Sequence, residues 1–525
     1  MKNTNYRRPF TGLSLTGGLL LLAGPTSAQD QVSALSGEQG SIGFATSSKP
    51  YLVSVSPEYA VQPLLSAGER VPRTNAPGQQ FQFVGIPDGM GAYQDDGGRT
   101  VLYVNHELVQ AAVSEPILGE PLNRGTFVSQ LILGRDGRVL SGDRAYDEVY
   151  AGDTFVGPAA DVSNSTPAFS RFCSGSLSYR ESGFDRPIYF AGEESAPPAT
   201  FEALGGLSVA IFDNHGTGEL HTMPKFGHFS WENTLAQPRR RRATVLIGME
   251  DGPNTPDNQL YMFVGEKDYS HNASPMARNG LLDGKMYVFV STTAGINDEP
   301  TFFASGEGTI EGQWIEIPNP EALSDVQLEE ASDALGAFAF VRTEDGAFNP
   351  QDPDEYFFVT TGSGPANPLG GMYRMKLDRR DPTGETTLEL VFDANQVIAA
   401  GGDIAISPDN IGIDRNFILV NEDGTANSRP VMASKGRDGS VWRINKSNYE
   451  ATRIAELFPP GRDGNFGVTS GVWETTGVIP AEGFGGEAWL INVQAHPPTL
   501  APAANTVEDG QLLLLRRTPF RALKP

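Results

Sequence analysis

Apolar runs of strand length recur along the chain, and each ends in a polar, mostly acidic segment. Residues 337–341 (AFAFV) read as a short buried strand that stops at Arg342, Thr343, Glu344, Asp345 and Gly346. The unit repeats. Residues 100–104 (TVLYV) lead into Asn105, His106 and Glu107, and residues 187–191 (PIYFA) into Gly192, Glu193 and Glu194. Residues 243–247 (ATVLI) lead into Glu250 and Asp251, residues 417–420 (FILV) into Glu422 and Asp423, and residues 488–493 (AWLINV) into Gln494 and His496. Taken between positions 107, 194, 250, 344, 422 and 494, the mean spacing is about 77 residues, room for a four-stranded blade with long loops. The pattern predicts an all-β chain: a six-bladed β-propeller with long inter-strand loops and a few short helices. These six strands would be equivalent, with their ends converging on one central site.

Further strands are predicted at 51–55, 286–290 and 355–359, and hairpin turns at Asp136-Gly137, Asp283-Gly284 and Asp438-Gly439. Residues 320–335 carry the best helical pattern, with Ser324 or Asp325 as cap. The 60 Gly and 38 Pro punctuate the whole length, as many short strands require. With no linker after residue 50, residues 51–525 are predicted to form a single propeller domain, preceded by a flexible Ser/Gly-rich segment, 29–50. Arg7 and Arg8 stand before an apolar run, 13–23, and a small-residue site, Thr26-Ser27-Ala28. This reads as an export signal over 1–28, of a form that looks like a twin-arginine signal, so the expected location is periplasmic or extracellular. No stretch is long and apolar enough to span a membrane.

Composition sharpens this picture in two places. A formal charge of −25 disfavours nucleic acid and anionic membranes as partners and leaves carboxylates for hard cations such as Ca2+. The one basic run, residues 239–242 (RRRR), reads as an exposed loop. Cys173 is the only cysteine, so there is no intramolecular disulfide, and an exported free thiol must be buried or metal-bound.

The familiar catalytic signatures HExxH, CxxC, the P-loop and GxSxG are missing. What remains is the acidic set at the strand ends: Glu107, Glu193, Glu194, Glu250, Asp251, Glu344, Asp345, Glu422 and Asp423. Any one of these is compatible with a plain turn. Together, at blade spacing, they imply like charges converging on one site, which bound multivalent cations would resolve. Cys173 adds a softer ligand and argues for iron beside calcium. Arg342 stands two residues before Glu344, on the same face of a strand, where it would pair with that carboxylate or grip a phosphate with its planar fork.

At these residues the chain resembles the PhoX-type alkaline phosphatases, exported six-bladed propellers with a mixed iron–calcium cluster. The resemblance spans roughly residues 103–497. It rests on Val104-Asn105-His106-Glu107, Cys173-Ser174-Gly175 with Glu193-Glu194, Gly227-His228-Phe229-Ser230-Trp231-Glu232-Asn233-Thr234, and Glu250-Asp251. Arg342-Thr343-Glu344-Asp345-Gly346, Ser407-Pro408-Asp409-Asn410 and Asn492-Val493-Gln494-Ala495-His496 complete it. The resemblance implies that Cys173 is a ligand of iron, as Fe3+, and that Glu107, Glu194, Glu232, Glu344 and one of Glu250 or Asp251 hold metals. Asp409 or Glu422 would complete the cluster, and Arg342 and Asn105 would bind the substrate phosphate. Arg171-Phe172-Cys173-Ser174-Gly175-Ser176 departs from the family's frequent Asn-Asn-Cys-Ala-Gly-Gly, as a divergent member would. The expectation is a monomeric hydrolase of small-molecule phosphate monoesters. Two other readings stand beside it: a calcium-dependent propeller hydrolase of another class (lactonase or phytase-like), and a non-catalytic calcium-binding propeller.

Overall fold

A computed structural model describes residue 46 and residues 48–252, 256–458, 473–496 and 505–518. These fall within the compact unit Gly40–Pro525. The export segment, 1–28, and most of 29–50 lie outside the described residues.

The structure is mostly β. Twelve strands position the candidate site and are numbered in chain order: β1 (Pro87–Gln94), β2 (Thr100–His106), β3 (Phe172–Ser178), β4 (Ile188–Glu193), β5 (Trp231–Ala236), β6 (Ala243–Glu250), β7 (Thr343–Asn349), β8 (Asp352–Thr360), β9 (Pro408–Ile413), β10 (Phe417–Glu422), β11 (Trp473–Pro480) and β12 (Ala488–Ala495). Each odd strand pairs antiparallel with the even strand after it and lies at the end of its run of strands. The six odd strands also pack on one another in order, β1 on β3, β3 on β5 and onward, with β11 returning to β1.

Further strands extend each run outward. Thr309–Ile317 pairs with Thr386–Asp393, which merges the runs of β5 and β7 into one nine-stranded sheet. The last run pairs an early strand with a late one: Tyr59–Ser66 pairs with Asp509–Arg517, which pairs with β12. Leu512, Leu513, Leu514 and Leu515 in that outer strand are fully buried, and each such side chain is worth about 1.5–3 kcal/mol. The core lies between adjacent sheets. Val101, Tyr103, Tyr189 and Ile211 fill the space between the first two, and Leu419, Trp473 and Trp489 fill that between the last two. No helix among the described residues is long and apolar enough to cross a membrane.

Five of the six repeated runs are strands of one kind, namely β2, β4, β6, β10 and β12. The sixth is a correction. Residues 337–341 form no strand; Phe338, Phe340 and Val341 are fully buried in a connection held by single bridges of Phe340 to Asn258 and Ala339 to Asp298. The strand begins at Thr343, where the sequence pattern placed its end, and the counterpart of the other five is β8. Apolarity there reports burial in the core, not ladder pairing. The helix at 320–335 is present as a short 3-10 turn followed by α1 (Asp325–Leu335), capped by Ser324. Asp136-Gly137 turns a hairpin, whereas Asp283-Gly284 and Asp438-Gly439 only lead into strands from short helical segments.

The inner strands approach so closely that glycine is required between them. A Cβ on Gly89 of β1 would lie 2.1 Å from the Gly175 nitrogen of β3. Gly89→Ala is therefore expected to destabilise the protein by about 1–3 kcal/mol, read from the denaturation midpoint. Gly308→Ala, where a Cβ meets nothing within 4 Å, should stay within about 0.5 kcal/mol of the parent. Equal midpoints for the two variants would contradict this packing.

Candidate metal centre

The second residue of every inner strand carries a potential metal ligand: Asp88, Cys173, Glu232, Glu344, Asp409 and Glu474 in β1, β3, β5, β7, β9 and β11. The local cause is a repeated bulge. Pro87 pairs with His106 but the next pair is Met90–Val104; Phe172 pairs with Glu193 and next Gly175 with Ala191. Trp231, Thr343 and Pro408 are followed by the same kind of register shift. A bulge leaves its extra residue outside the ladder and re-aims the side chain. In four of the six strands the preceding residue is left-handed: Ile86 (φ 52°), Arg171 (φ 47°), Arg342 (φ 59°) and Ser407 (φ 49°). Such backbone costs roughly 1–3 kcal/mol per residue and clusters where function fixes geometry.

A second set stands one residue beyond each even strand: Glu107, Glu194, Asp251, Thr361, Asp423 and His496. The two sets meet. Ligand atoms lie within 4.8 Å of one another in four overlapping trios: Asp88, Glu107 and Cys173; Cys173, Glu194 and Glu232; Glu232, Glu344 and Asp409; and Asp409, Asp423 and Glu474. A cavity of about 300 Å³ opens on them, with Arg171, Arg342 and His496 also in its wall.

Among the described residues, the electrostatics are those of anions short of cations. Burial first, and then the charge of Glu107, pushes the Asp88 carboxyl well above the carboxylate range. Glu232 and Asp409 are pushed up by burial and then by Glu344, and Glu344 by burial against the pull of Arg342. Burial takes Glu194 to about 8 despite Arg171, and Glu474 to about 7, helped by Asp423. Burial and then Asp88 hold the Cys173 thiol well above its usual range. Burial alone would lower His496, but hydrogen bonds to Glu474 and Glu508 raise it to about 10. Asp88 Oδ1, Glu232 Oε2 and Asp409 Oδ1 are buried with no hydrogen-bond partner. Unpartnered carboxylate oxygens converging beside one thiol fit hard cations together with a softer, thiolate-binding metal.

Arg342 is locked in this wall. Its Nε and Nη2 donate to Asp251, with Nη2 at 2.7 Å, and Nη2 lies 3.1 Å from Glu344. Its Nη1 is 4.0 Å from Asp423, beyond hydrogen-bond reach.

Of the residues expected here, the structure brings together Cys173, Glu107, Glu194, Glu232, Glu344, Asp409 and Arg342, with Asp251 behind the arginine. Three others are placed elsewhere. Asn105 is fully buried: its Nδ2 donates to the Cys173 and Ser174 carbonyls and its Oδ1 accepts from Tyr189, so it braces β3 and does not face the cavity. Glu250 ends β6 with its carboxylate accepting from the Gln259 backbone N–H, and Glu422 ends β10 in a buried pair with Arg437 at 2.6 Å. In both cases the residue one place on, Asp251 or Asp423, turns toward the site, because side chains alternate between faces along a strand. Asp345 is no turn residue; it lies buried in β7, accepts from Asn233, and is raised to about 7 by burial.

Sequence reasoning missed Asp88, Glu474 and Arg171, and left Asp423 and His496 without a role. A usable signal existed. Pro-Asp recurs at 87–88 and 408–409, and Trp-Glu at 231–232 and 473–474, each opening an inner strand.

The profile of a family described as alkaline phosphatase PhoX matches residues 214–495, more than half of the chain. Asp88, Glu107, Arg171, Cys173 and Glu194 precede the matched span. Among solved structures, the chain is similar to Pseudomonas fluorescens PhoX in complex with vanadate, a transition state analogue, with a TM-score of 0.62 and 15% identity over 90% of this chain and 97% of that one. It is also similar to a Penicillium chrysogenum alpha-L-arabinanase complexed with arabinobiose, with a TM-score of 0.38 and 10% identity over 86% of this chain and 98% of that one. No curated protein matches the chain.

The raised carboxyls fix a pH dependence for the metal-free protein. Glu194 and Glu474 titrate near 8 and 7 when folded and near an ordinary 4.5 when unfolded, so the folded state binds more protons between these values. Their contribution to stability is full below about 4.5 and is lost as pH rises to about 8. Chelated protein should melt at a higher temperature at pH 5 than at pH 8.5, and added calcium should recover the loss at pH 8.5. A melting temperature that rises with pH under chelation would contradict the assignment.

Proposed function

The chain belongs to the alkaline phosphatase PhoX family, and on that footing we propose that it is an exported, metal-dependent hydrolase of small-molecule phosphate monoesters. The observation that carries the reading is the double ring of ligands, with unpartnered carboxylate oxygens beside Cys173 and Arg342 held at the cavity wall. We read the closed succession of six inner strands as a six-bladed β-propeller, with the rings at one mouth of its axis. Calcium and iron are the proposed metals. Glu232, Glu344, Asp409, Asp423 and Glu474 would hold calcium, and Cys173, with Asp88 and Glu194 beside it, iron. When bound, such ions supply positive charge against the phosphoryl oxygens and polarise the attacking oxygen.

The chain's own residues position and stabilise. Asp251 fixes the plane of the Arg342 guanidinium through Nε and Nη2, so Nη1 keeps donors for a phosphoryl oxygen in the cavity. A guanidinium held this way meets charge that grows on the transferring group without reorganising. Thr361, whose hydroxyl donates to the Pro408 carbonyl, replaces a carboxylate in the outer set beside Arg342 and leaves that side less negative for an incoming dianion.

Arg342→Ala should lower kcat/KM for p-nitrophenyl phosphate by about 10²–10³-fold. Arg342→Lys should recover only part of it, because an ammonium lacks the planar fork. Wild-type rates in both variants would remove Arg342 from the site. Elemental analysis of the native protein should find calcium and iron together, Cys173→Ser should lose the iron, and a calcium chelator should abolish hydrolysis. Calcium without iron, or iron retained in Cys173→Ser, would contradict the thiolate assignment; metal without phosphoester turnover would contradict the enzymatic one.

A further inference from the structure

Arg171 is the structural counterpart of Arg342. Each is a left-handed residue immediately before an inner strand, and each reaches the outer carboxylate of the preceding run of strands, Glu107 for Arg171 and Asp251 for Arg342. They differ in the second partner. The outer residue of Arg342's own run is Thr361, so its guanidinium turns to Glu344 in the inner set. In Arg171's own sheet the outer residue is Glu194. Its Nη2 lies 2.7 Å from Glu107 and 2.7 Å from Glu194, and its Nε donates to Glu107 at 2.8 Å. Arg171 therefore bridges two outer carboxylates, one on each side of Cys173.

Both oxygens of Glu107 are already engaged: Oε1 accepts from Arg171 and Oε2 accepts from Gln494, which also donates to Asp88. The unpartnered oxygens lie instead on Asp88, Glu232 and Asp409. Glu107 and Glu194 belong to adjacent trios that share Cys173, so a guanidinium between them neutralises that part of the ring at a fixed position. Arginine does not deprotonate in proteins, and its planar fork suits two carboxylates where a divalent ion would otherwise bridge them.

We propose that Arg171 is a built-in cation of the metal centre, holding Glu107 and Glu194 in place of one divalent ion. The proposal rests on the metal-centre reading above and concerns only its composition on the side of Cys173. Glu107 thereby becomes a partner of Arg171 rather than a primary ligand.

The test is the number of calcium ions bound per chain at saturating calcium, measured by elemental analysis after gel filtration, with melting temperature followed in parallel. Arg171→Ala is expected to bind about one further calcium ion per chain, because two carboxylates lose their shared counter-ion. Without calcium it should melt below the wild type, and calcium should raise its melting temperature by more than it raises the wild type's. Arg171→Lys, which keeps the charge, should keep the wild-type number. An unchanged or smaller number in Arg171→Ala overturns the proposal, as does a gain in Arg171→Lys. If Arg171→Ala does not fold, the double variant Arg171→Ala/Glu107→Gln, which removes opposite charges together, is read instead. It is expected to keep the wild-type number, and a gain there overturns the proposal. Wild-type protein that takes up no calcium at all overturns the metal-centre reading itself, so the two failures are distinct.

Discussion

Asp88, Glu232, Glu344 and Asp409 are buried at one end of six adjacent strands, each carboxyl raised first by burial, with neighbouring carboxylates adding to the rise. Concentrated negative charge of this kind opposes its own folding unless cations are supplied. Among the described residues they come from Arg171 and Arg342, with His496 and Arg429 bonded to carboxylates at the margin. Their number falls short of the carboxylates they face. Bound metals, as proposed, would offset that imbalance.

The fold sustains this arrangement by repetition. One local device, a bulge directly after the first pair of an inner strand, serves five of the six strands. The sixth, β11, pairs Glu474 with Gln494 and shifts register only after Thr476. Acidic and polar residues one place away are satisfied locally and contribute no free charge. Glu193 accepts from the backbone of Ser170, Phe201 and Leu207, and Glu422 from Arg437. The same acidic doublets thus divide their work: Glu193, Glu250 and Glu422 brace strand ends, while Glu194 and Asp423 line the cavity and Asp251 holds Arg342.

Much of this was legible in the sequence. The repeated runs located β2, β4, β6, β10 and β12, and the doublets at their ends marked the outer ring to within a residue or two. Cys173 and Arg342 stood out because their types are rare in such a setting. What misled was a difference of one residue or one strand. Glu250 and Glu422 are neighbours of the residues that turn inward, and Asn105 lies in the core although it precedes Glu107 by only two positions. Asp88 and Glu474 escaped notice because their inner strands, with Pro-Asp-Gly and Trp-Glu-Thr openings, are less apolar than the strands behind them.

The sequence by itself determined the β character of the chain, its recurrence, and the residue types gathered at the strand ends. Those follow from local apolar runs, turn residues and composition, which need no partner to be read. Tertiary structure alone decided which member of each doublet faces the centre, that residues 337–341 cross the core without joining a sheet, and that Arg171 links Glu107 to Glu194 across Cys173. The physical reason is that a bulge or a left-handed residue shifts side-chain direction by one position. Its effect is visible only once the neighbouring strand fixes the register.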